Sequence, residues 1–227
     1  MAMKYDIILT DIDNTLLDFS ADAKAALKTT LEEWGLTFCD QDWHSFNDIN
    51  NALWRDFEAG KIEKKTIFPE RARRIMEIKG AQGNPHDFSQ AYMENLSKGH
   101  HQYPDSRRLL ETLRSMGCKI IGVTNGTTSV QTARMTRSGL RPLFDGMYIS
   151  EQFGVQKPHK EFYDLVFGDI GEDKRPRAIM LGDSLTSDMQ GGRNAGIATC
   201  FFGDPDKADH RCDYVITELM QFVDVVK

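Results

Sequence analysis

Two aspartates that stand two residues apart at the end of a short apolar run are the first residues in the chain whose types could do chemistry. The run Ile-Ile-Leu at 7–9 leads into Asp11 and Asp13, which are followed by Asn14 and Thr15. This pattern predicts a buried parallel strand, and ligands of open α/β sheets bind just beyond the carboxyl ends of such strands. Two crowded carboxylates repel each other unless a cation or a proton lies between them. The pair therefore suggests a chemical site, although an ordinary Asx turn closing the strand is an open alternative.

More polar residues follow the later predicted strands. In chain order they are Thr124, Asn125, Lys157, Asp183 and Asp188. If the sheet is parallel, all of these residues gather at one edge. Carboxylates together with a backbone oxygen make the hard oxygen site that Mg²⁺ prefers. A hydroxyl group and backbone amides at a helix N-terminus bind phosphate, and a lysine adds a compact positive charge.

Each of these residues also has a purely structural explanation. Thr124 and Asn125 could cap a helix, Lys157 could be solvated, and the two later aspartates could favour a helix N-terminus. Their succession at consecutive strand ends is hard to obtain from structural need alone. The sequence contains no P-loop pattern, no serine or cysteine near a histidine that presents itself as a nucleophile, and no zinc spacing around the pair His100 and His101.

The elements that must position these residues alternate regularly after residue 104. Strands are predicted at 5–10, 119–123, 147–149, 178–181, 198–202 and 214–216, and helical stretches separate most of them. Such alternation indicates a parallel sheet with right-handed crossovers. Asp105 is expected to cap the helix that stops at Gly117.

The segment between the first two strands is different, because it contains only helical patches and is too long for a simple crossover. We therefore predict an α/β fold with a doubly wound, Rossmann-like parallel sheet and an inserted all-helical domain. The sheet domain comprises residues 1–18 and 103–227. The helical cap domain comprises residues 19–102.

Composition narrows the possible partners of the protein. The chain has 227 residues, a hydrophobic content of 40% and a net charge of −6. An acidic total argues against binding a nucleic-acid polymer, which usually needs a basic face. No basic leader and no apolar run of ~20 residues is present, and the four cysteines form no CxxC pair. We expect a cytoplasmic protein with reduced thiols and without a membrane partner, as a monomer or a homodimer.

Four segments in order resemble the motifs of the haloacid dehalogenase superfamily. They are DIDNT at 11–15, VTN at 123–125, KP at 157–158 and GDSLTSD at 182–188. One departure is Asn14, where many members carry glycine, and asparagine also accepts tight turns. The helical block resembles the cap inserted in one branch of the superfamily. Within it, NALW at 51–54, EAGKI at 58–62 and Arg71 are similar to house-cleaning nucleotidases that act on pyrimidine nucleoside 5′-monophosphates.

The resemblance implies phosphoryl transfer through an aspartyl-phosphate. Asp11 would attack phosphorus, and Asp13 would protonate the leaving oxygen and later deprotonate a water molecule. Dehalogenases of the superfamily carry tyrosine in place of this second acid and use no metal. Because Asp13 is present, phosphate chemistry is favoured over carbon–halogen cleavage.

The resemblance also assigns the remaining motif residues. Mg²⁺ would be bound by the side chain of Asp11, the backbone carbonyl of Asp13 and the side chain of Asp183. Asp188 would orient Lys157 or a water on the metal. The phosphoryl oxygens of the substrate would be held by Thr124, the backbone amide of Asn125 and Lys157.

The expected activity is that of a Mg²⁺-dependent phosphomonoesterase on a nucleoside 5′-monophosphate or another small phosphorylated metabolite. A phosphoglycolate phosphatase, a β-phosphoglucomutase-like phosphotransferase and a phospho-accepting module like a receiver domain are the alternatives. Residues 61–79 carry seven basic and three acidic side chains, a local charge of +4 that could meet an anionic substrate or form a solvated face. Trp54 and Phe57 could stack on a base or pack inside the helical domain.

Overall fold

The protein divides into two compact units in the computed structural model, which describes residues 3–227. One unit, here called the α/β unit, comprises the chain up to Phe19 together with His100–Lys227. The other, here called the helical unit, comprises Ser20–Gly99. Each unit has its own secondary structure and its own buried side chains.

The α/β unit contains a six-stranded parallel sheet. Its strands are β1 (Ile7–Thr10), β2 (Lys119–Thr124), β3 (Gly146–Ile149), β4 (Ala178–Gly182), β5 (Ala198–Phe202) and β6 (Tyr214–Ile216). The strand order is β3-β2-β1-β4-β5-β6, and every neighbouring pair is parallel. The predicted α/β class with a doubly wound parallel sheet is confirmed.

Both faces of the sheet are buried, because successive side chains of a strand point to opposite faces. On one face, Ile8 packs in an apolar cluster with Ile120 and Ile179. On the other face, Leu9 packs in a second cluster with Val123. A sheet covered on both sides explains why its strands are continuous apolar runs.

The two faces are covered by helices that alternate with the strands. In the α/β unit these are α5 (Ser106–Ser115), α6 (Thr128–Arg137), α7 (Lys160–Ile170), α8 (Gln190–Ala195) and α9 (Phe222–Val226). The predicted side-chain cap at Asp105 is wrong. Asp105 precedes α5 but has a left-handed backbone (φ 65°), and its carboxylate makes no capping hydrogen bond. A capping side chain needs an extended backbone to reach the first helical amides.

The helical unit is built from four helices. They are α1, which begins at the last residue of the α/β unit (Phe19–Glu33), α2 (Asp40–Glu58), α3 (Lys64–Lys79) and α4 (Pro85–Lys98). The buried ring of Phe57 packs edge to face with Trp54 at 5.7 Å, beside Leu53 and Ile67. These contacts favour the interpretation of the two aromatic residues as part of the interior of this unit.

Most basic side chains of the segment 61–79 pair with acids of the same unit. Glu70 accepts from both Arg73 and Arg74, at 2.7 Å in each case. Arg71 is instead buried, donates to Asn50 at 2.7 Å and lies over the ring of Tyr92 at 4.4 Å. These contacts weaken the interpretation of the segment as an open surface for anions.

None of the helices within residues 3–227 has both the length and the apolar composition needed to cross a bilayer.

The start of α2 generates a prediction for stability. Lys79 and the backbone amide of Cys39 both donate to Asp42, each at 2.8 Å. Burial alone would raise the pKa of Asp42, but these hydrogen bonds outweigh it and hold that pKa below its ordinary value. A depressed carboxyl pKa stabilises the folded state above the pKa of the unfolded chain, about 4, and this stabilisation is lost as the pH falls through the folded pKa.

We therefore expect Asp42→Asn to lower the free energy of unfolding by about 1–2 kcal/mol at pH 7, because the charge pair with Lys79 is lost. The difference from the original protein should shrink as the pH falls below about 4. Urea unfolding across this pH range measures both effects. Asp40→Asn is the matched control, since the Asp40 side chain is 77% exposed and its pair with Lys24 should contribute little. A pH-independent effect of Asp42→Asn would contradict the assignment.

Candidate active site

Three neighbouring strands end at the same edge of the sheet and deliver most of the predicted site residues. Asp11 follows β1, Thr124 ends β2, and Asp183 follows β4. Strand β1 lies between β2 and β4, so these ends are adjacent although they are far apart in sequence. The chain crosses to one side of β1 for β2 and to the other side for β4. This reversal is where open α/β sheets bind ligands.

The backbone of Asp11 is held in the sheet, while the following residues turn away from it. The amide of Asp11 donates to the carbonyl of Leu181 in β4 at 2.9 Å. Asn14 then adopts a left-handed backbone with φ 56°, and its amide donates to the carbonyl of Leu17 at 2.8 Å. Asparagine tolerates this conformation better than most residues, which is why it can stand at this turn.

Lys157 connects the carboxylates of this edge. Its ammonium group donates to Asp11 at 2.6 Å, to Asp188 at 2.7 Å and to the carbonyl of Val123 at 2.9 Å, which uses all three of its N–H bonds. The side chain is 2% exposed. Burial alone would lower the pKa of Lys157, but the contacts with Asp11 and Asp188 outweigh burial and raise that pKa above its ordinary value.

Asn125 positions the loop that carries Lys157. Its side-chain amide donates to the carbonyl of Lys157 at 2.8 Å, and its side-chain oxygen accepts from the amide of Lys157 at 3.0 Å. The peptide bond between Lys157 and Pro158 is cis. This pair of hydrogen bonds ties the loop after β3 to the end of β2. The sequence motif indicated a role for the backbone amide of Asn125 and gave no sign of this role for its side chain.

Asp188 packs directly against the backbone at the end of β4. It lies in a single π-helical turn, Leu185–Met189, and its second oxygen accepts from the amide of Ser184 at 3.1 Å. A Cβ atom at Gly182 would lie 2.2 Å from that oxygen. Glycine is therefore required at position 182 for the carboxylate of Asp188 to reach Lys157.

Three carboxylates form a cluster that suits a cation. Asp11, Asp183 and Asp188 each offer an oxygen, and these oxygens lie within 4.8 Å of one another. Burial, opposed by Lys157 and reinforced by Asp188 and Asp13, raises the pKa of Asp11 to about 7. Burial and the charge of Asp11 likewise hold the pKa of Asp183 well above its usual value. An all-oxygen donor set whose members repel one another fits a hard divalent cation such as Mg²⁺.

The carboxylate of Asp13 lies outside this cluster, as one would expect if only its backbone carbonyl faced a metal. One of its oxygens pairs with Arg134, and the other accepts from the side-chain amide of Gln131 at 2.9 Å. None of the sequence motifs includes Gln131 or Arg134. One feature of the sequence could have indicated them. Both are long polar side chains on the face of α6 that also carries the apolar residues Val130 and Met135.

Thr124 is engaged by the same group of residues. Its hydroxyl oxygen accepts from the amide of Gly126 at 3.0 Å and from Gln131 at 2.8 Å. Thus Asp11, Lys157, Asp183 and Asp188 meet in one group, while Asp13 and Thr124 are joined through α6.

Comparison with known proteins identifies relatives over almost the whole chain. The model of a family described as "Hydrolase: haloacid dehalogenase-like hydrolase" matches residues 5–196. The pyrimidine 5′-nucleotidase PynA of Streptococcus pneumoniae is 33% identical over 99% of this chain and 94% of its own length. The pyrimidine 5′-nucleotidase YjjG of Escherichia coli is also 33% identical, over 92% of this chain and 89% of its own.

A solved structure gives the same result in three dimensions. The crystal structure of the HAD-hydrolase YfnB from Bacillus subtilis, bound to magnesium, superposes with a TM-score of 0.91 at 31% identity. The match covers 98% of each chain.

The packing of Asp188 against Gly182 generates a second prediction. Gly182→Ala should lower the free energy of unfolding by about 1–3 kcal/mol, because the added methyl group must displace a buried carboxylate that is bonded to Lys157. Gly168→Ala in α7 is the matched control, since nothing lies within 4 Å of a Cβ there. The control should raise stability by about 0.5–1 kcal/mol through helix propensity. Chemical denaturation compares the two, and equal stability of both variants would refute the proposed packing constraint.

Proposed function

Because the chain belongs to the haloacid dehalogenase-like hydrolase family, we propose that it is a phosphomonoesterase that hydrolyses pyrimidine nucleoside 5′-monophosphates through an aspartyl-phosphate. The family resemblance predicted from the four motifs is confirmed. The observation that carries the proposal is the buried carboxylate of Asp11, held by Lys157 beside Asp183 and Asp188. The names of PynA and YjjG support the choice of substrate class.

In the first half of the reaction, an oxygen of Asp11 attacks phosphorus and the bond from phosphorus to the leaving oxygen breaks. Protonated Asp13 gives its proton to that oxygen, so the nucleoside departs as an alcohol. Proton delivery matters because an alkoxide is a poor leaving group. Asp13 stands two residues beyond the nucleophile, on a turn that separates its side chain from the carboxylate cluster.

In the second half, the Asp13 carboxylate removes a proton from a water molecule, whose oxygen attacks phosphorus. The bond between phosphorus and Asp11 breaks, and inorganic phosphate is released. Asp11 regains its carboxylate, and Asp13 regains the proton it gave up. The two residues therefore return to their starting states after one turnover.

The phosphoryl oxygens are held by donors that the chain places around Asp11. Lys157 would exchange one of its carboxylate contacts for a phosphoryl oxygen, and its positive charge would offset the charge that builds up in the transition state. The Thr124 hydroxyl and the backbone amide of Asn125, at the end of β2, would supply further hydrogen bonds. Positioning and charge stabilisation of this kind account for most of the catalysis of phosphoryl transfer.

The carboxylate cluster would hold Mg²⁺ through the side chains of Asp11 and Asp183, together with the backbone carbonyl of Asp13. The ion, when bound, neutralises negative charge on the phosphoryl group and on the cluster. Asp188 would keep Lys157 in place, as its contact of 2.7 Å suggests.

We further propose that the helical unit serves as the cap domain of the enzyme and selects the leaving group. The proposed substrate is a small phosphorylated metabolite. A phosphoglycolate phosphatase and a phosphotransferase of the β-phosphoglucomutase kind use the same half-reactions with another leaving group or acceptor. The receiver-like module is disfavoured, because the family match covers residues 5–196 of a chain that contains a separate helical unit.

A phosphate-release assay tests the proposal. With Mg²⁺ present, we expect release of inorganic phosphate from uridine and cytidine 5′-monophosphates in preference to purine nucleotides, phosphoglycolate and β-glucose 1-phosphate. Asp11→Asn should lower turnover by about 10³-fold or more, because an amide oxygen is a poor nucleophile. Asp224→Asn is the control, since that side chain is 81% exposed on α9.

The possible results separate the alternatives. Undiminished turnover by Asp11→Asn would refute the aspartyl-phosphate mechanism. A preference for phosphoglycolate would overturn only the substrate class, and phosphate transfer to a sugar without release would indicate a phosphotransferase.

Removal of divalent cations provides a second test. We expect EDTA to abolish phosphate release and added Mg²⁺ to restore it, because the charges of Asp11 and Asp183 need compensation before an anionic phosphate can approach. Mg²⁺ should also raise the melting temperature by mass action, by an amount that shrinks in Asp183→Asn. Full activity in EDTA would contradict the proposed cation site.

A further inference from the structure

Helix α6 turns two long polar side chains toward the interior of the α/β unit. Gln131 is 1% exposed and Arg134 is 0% exposed, and they lie three residues apart on the same helical face. Burying a guanidinium group and an amide is costly unless each finds partners. Their partners include two residues of the proposed reaction, Asp13 and Thr124.

The hydrogen bonds around Gln131 form a closed set. Its side-chain nitrogen donates to Asp13 at 2.9 Å and to Thr124 at 2.8 Å, which uses both of its N–H bonds. Its side-chain oxygen accepts from Arg134 at 3.2 Å. Arg134 also pairs with the other oxygen of Asp13 and lies over the ring of Phe19 at 5.6 Å. Only one orientation of the Gln131 amide satisfies all of these contacts.

We propose that Gln131 and Arg134 are positioning residues, which aim the carboxyl group of Asp13 at the leaving oxygen and make the Thr124 hydroxyl a donor toward the phosphoryl group. The proposal rests on the function proposed above and adds two residues to it. Both residues act through Asp13 and Thr124.

The contacts with Asp13 restrain its carboxyl group without blocking it. Each carboxyl oxygen is contacted from helix α6, one by Gln131 and the other by Arg134. A carboxyl oxygen has two lone pairs, so such a contact does not by itself prevent it from carrying a proton. The Asp13 side chain is 25% exposed, whereas Arg134 beneath it is fully buried. The carboxyl group is therefore hydrogen-bonded on its buried side and exposed to solvent on its other side.

The contacts with Thr124 set the direction of its proton. The hydroxyl oxygen accepts from Gln131 and from the amide of Gly126, so both of its lone pairs are used. Its own hydrogen must then be donated elsewhere. A hydroxyl that can only donate suits an anionic phosphoryl oxygen, which can only accept.

A purely structural role for the pair would make a different prediction. If Gln131 and Arg134 only stabilised α6, their loss would slow the hydrolysis of all phosphate esters to the same degree. If they position Asp13, the loss should depend on the leaving group. Uridine 5′-monophosphate leaves as an alcohol and needs a proton, whereas p-nitrophenyl phosphate leaves as a stable phenolate and does not.

The measurement is kcat/KM for these two esters, because this constant reports events only up to the first irreversible step, here the departure of the leaving group. Arg134→Lys keeps the charge but removes the planar guanidinium group, whose Nη1 donates to both Asp13 and Gln131 and which lies over the ring of Phe19. A flexible lysine ammonium group holds such partners less rigidly. We expect its kcat/KM to fall about 10- to 100-fold for uridine 5′-monophosphate and less than about 3-fold for p-nitrophenyl phosphate. The ratio of the two kcat/KM values, uridine 5′-monophosphate over p-nitrophenyl phosphate, should change most in Asp13→Asn, which sets the upper limit for the other variants.

Gln131→Met has nearly the same size and no hydrogen bonds, so it tests both contacts of Gln131. We expect lower kcat/KM for both esters, because Thr124 loses its fixed orientation, with about a 10-fold larger loss for uridine 5′-monophosphate. Gly126→Ala is an independent route to the same effect. Its Cβ would lie 2.6 Å from the Cγ of Gln131 and would displace that side chain without removing it.

Arg137→Lys is the matched control, since Arg137 is an exposed arginine of the same helix. It should leave both constants unchanged. Equal losses for the two esters in Gln131→Met and Gly126→Ala, or no loss, would overturn the positioning role, even if Arg134→Lys failed to fold. If the original protein hydrolysed neither ester, or if Asp11→Asn stayed active, the proposed function itself would fail. If hydrolysis depended on Asp11 but the ratio did not move, only the positioning role would fail.

Discussion

The contact of one buried ammonium group with two buried carboxylates fixes the arrangement of side chains at the edge of the sheet where β1, β2 and β4 end. Lys157 lies between Asp11 and Asp188, and all three are almost inaccessible to water. A buried ion pair of this kind is weak evidence for stability, because desolvation offsets most of the attraction. Its geometry must be good to persist, and the surrounding chain supplies that geometry. Asn125 clamps the loop of Lys157, and the bare backbone of Gly182 admits Asp188.

A second group of buried polar side chains contacts the neighbouring turn at Asp13, and its geometry is likewise fixed by hydrogen bonds. Arg134 and Gln131 are buried in a helix that otherwise contributes apolar side chains to the interior, and both reach Asp13. Polar groups at such depth limit the stability of a fold, and natural proteins accept such departures mainly at functional sites. The two groups together contain most of the buried polar side chains at this end of the sheet that the motifs and α6 supply.

In the helical unit, a local pattern of charges in the sequence predicts some ion pairs but not others. Its basic segment suggested an anion-binding surface, yet Arg73 and Arg74 pair with Glu70 one helical turn away. That pairing was available from the spacing of three and four residues. The long-range pair of Lys79 with Asp42 was not, because its partners are 37 residues apart. Arg71 contacts aromatic rings instead of acids. The rings of Phe46 and Tyr92 are distant in sequence, so the residues next to Arg71 do not predict these contacts.

The sequence by itself determined the class of fold and the identity of the motif residues, because strand periodicity and turn chemistry are local properties. It predicted that Asp11, Lys157, Asp183 and Asp188 meet, since all parallel strands end at one edge. Only the tertiary structure decided the strand order, which places β1 between β2 and β4, and the contacts of Gln131 and Arg134. It also decided the backbone at Asp105, where a left-handed conformation replaced the expected cap. Such features depend on which distant segments pack together, and no local pattern in the chain encodes that choice.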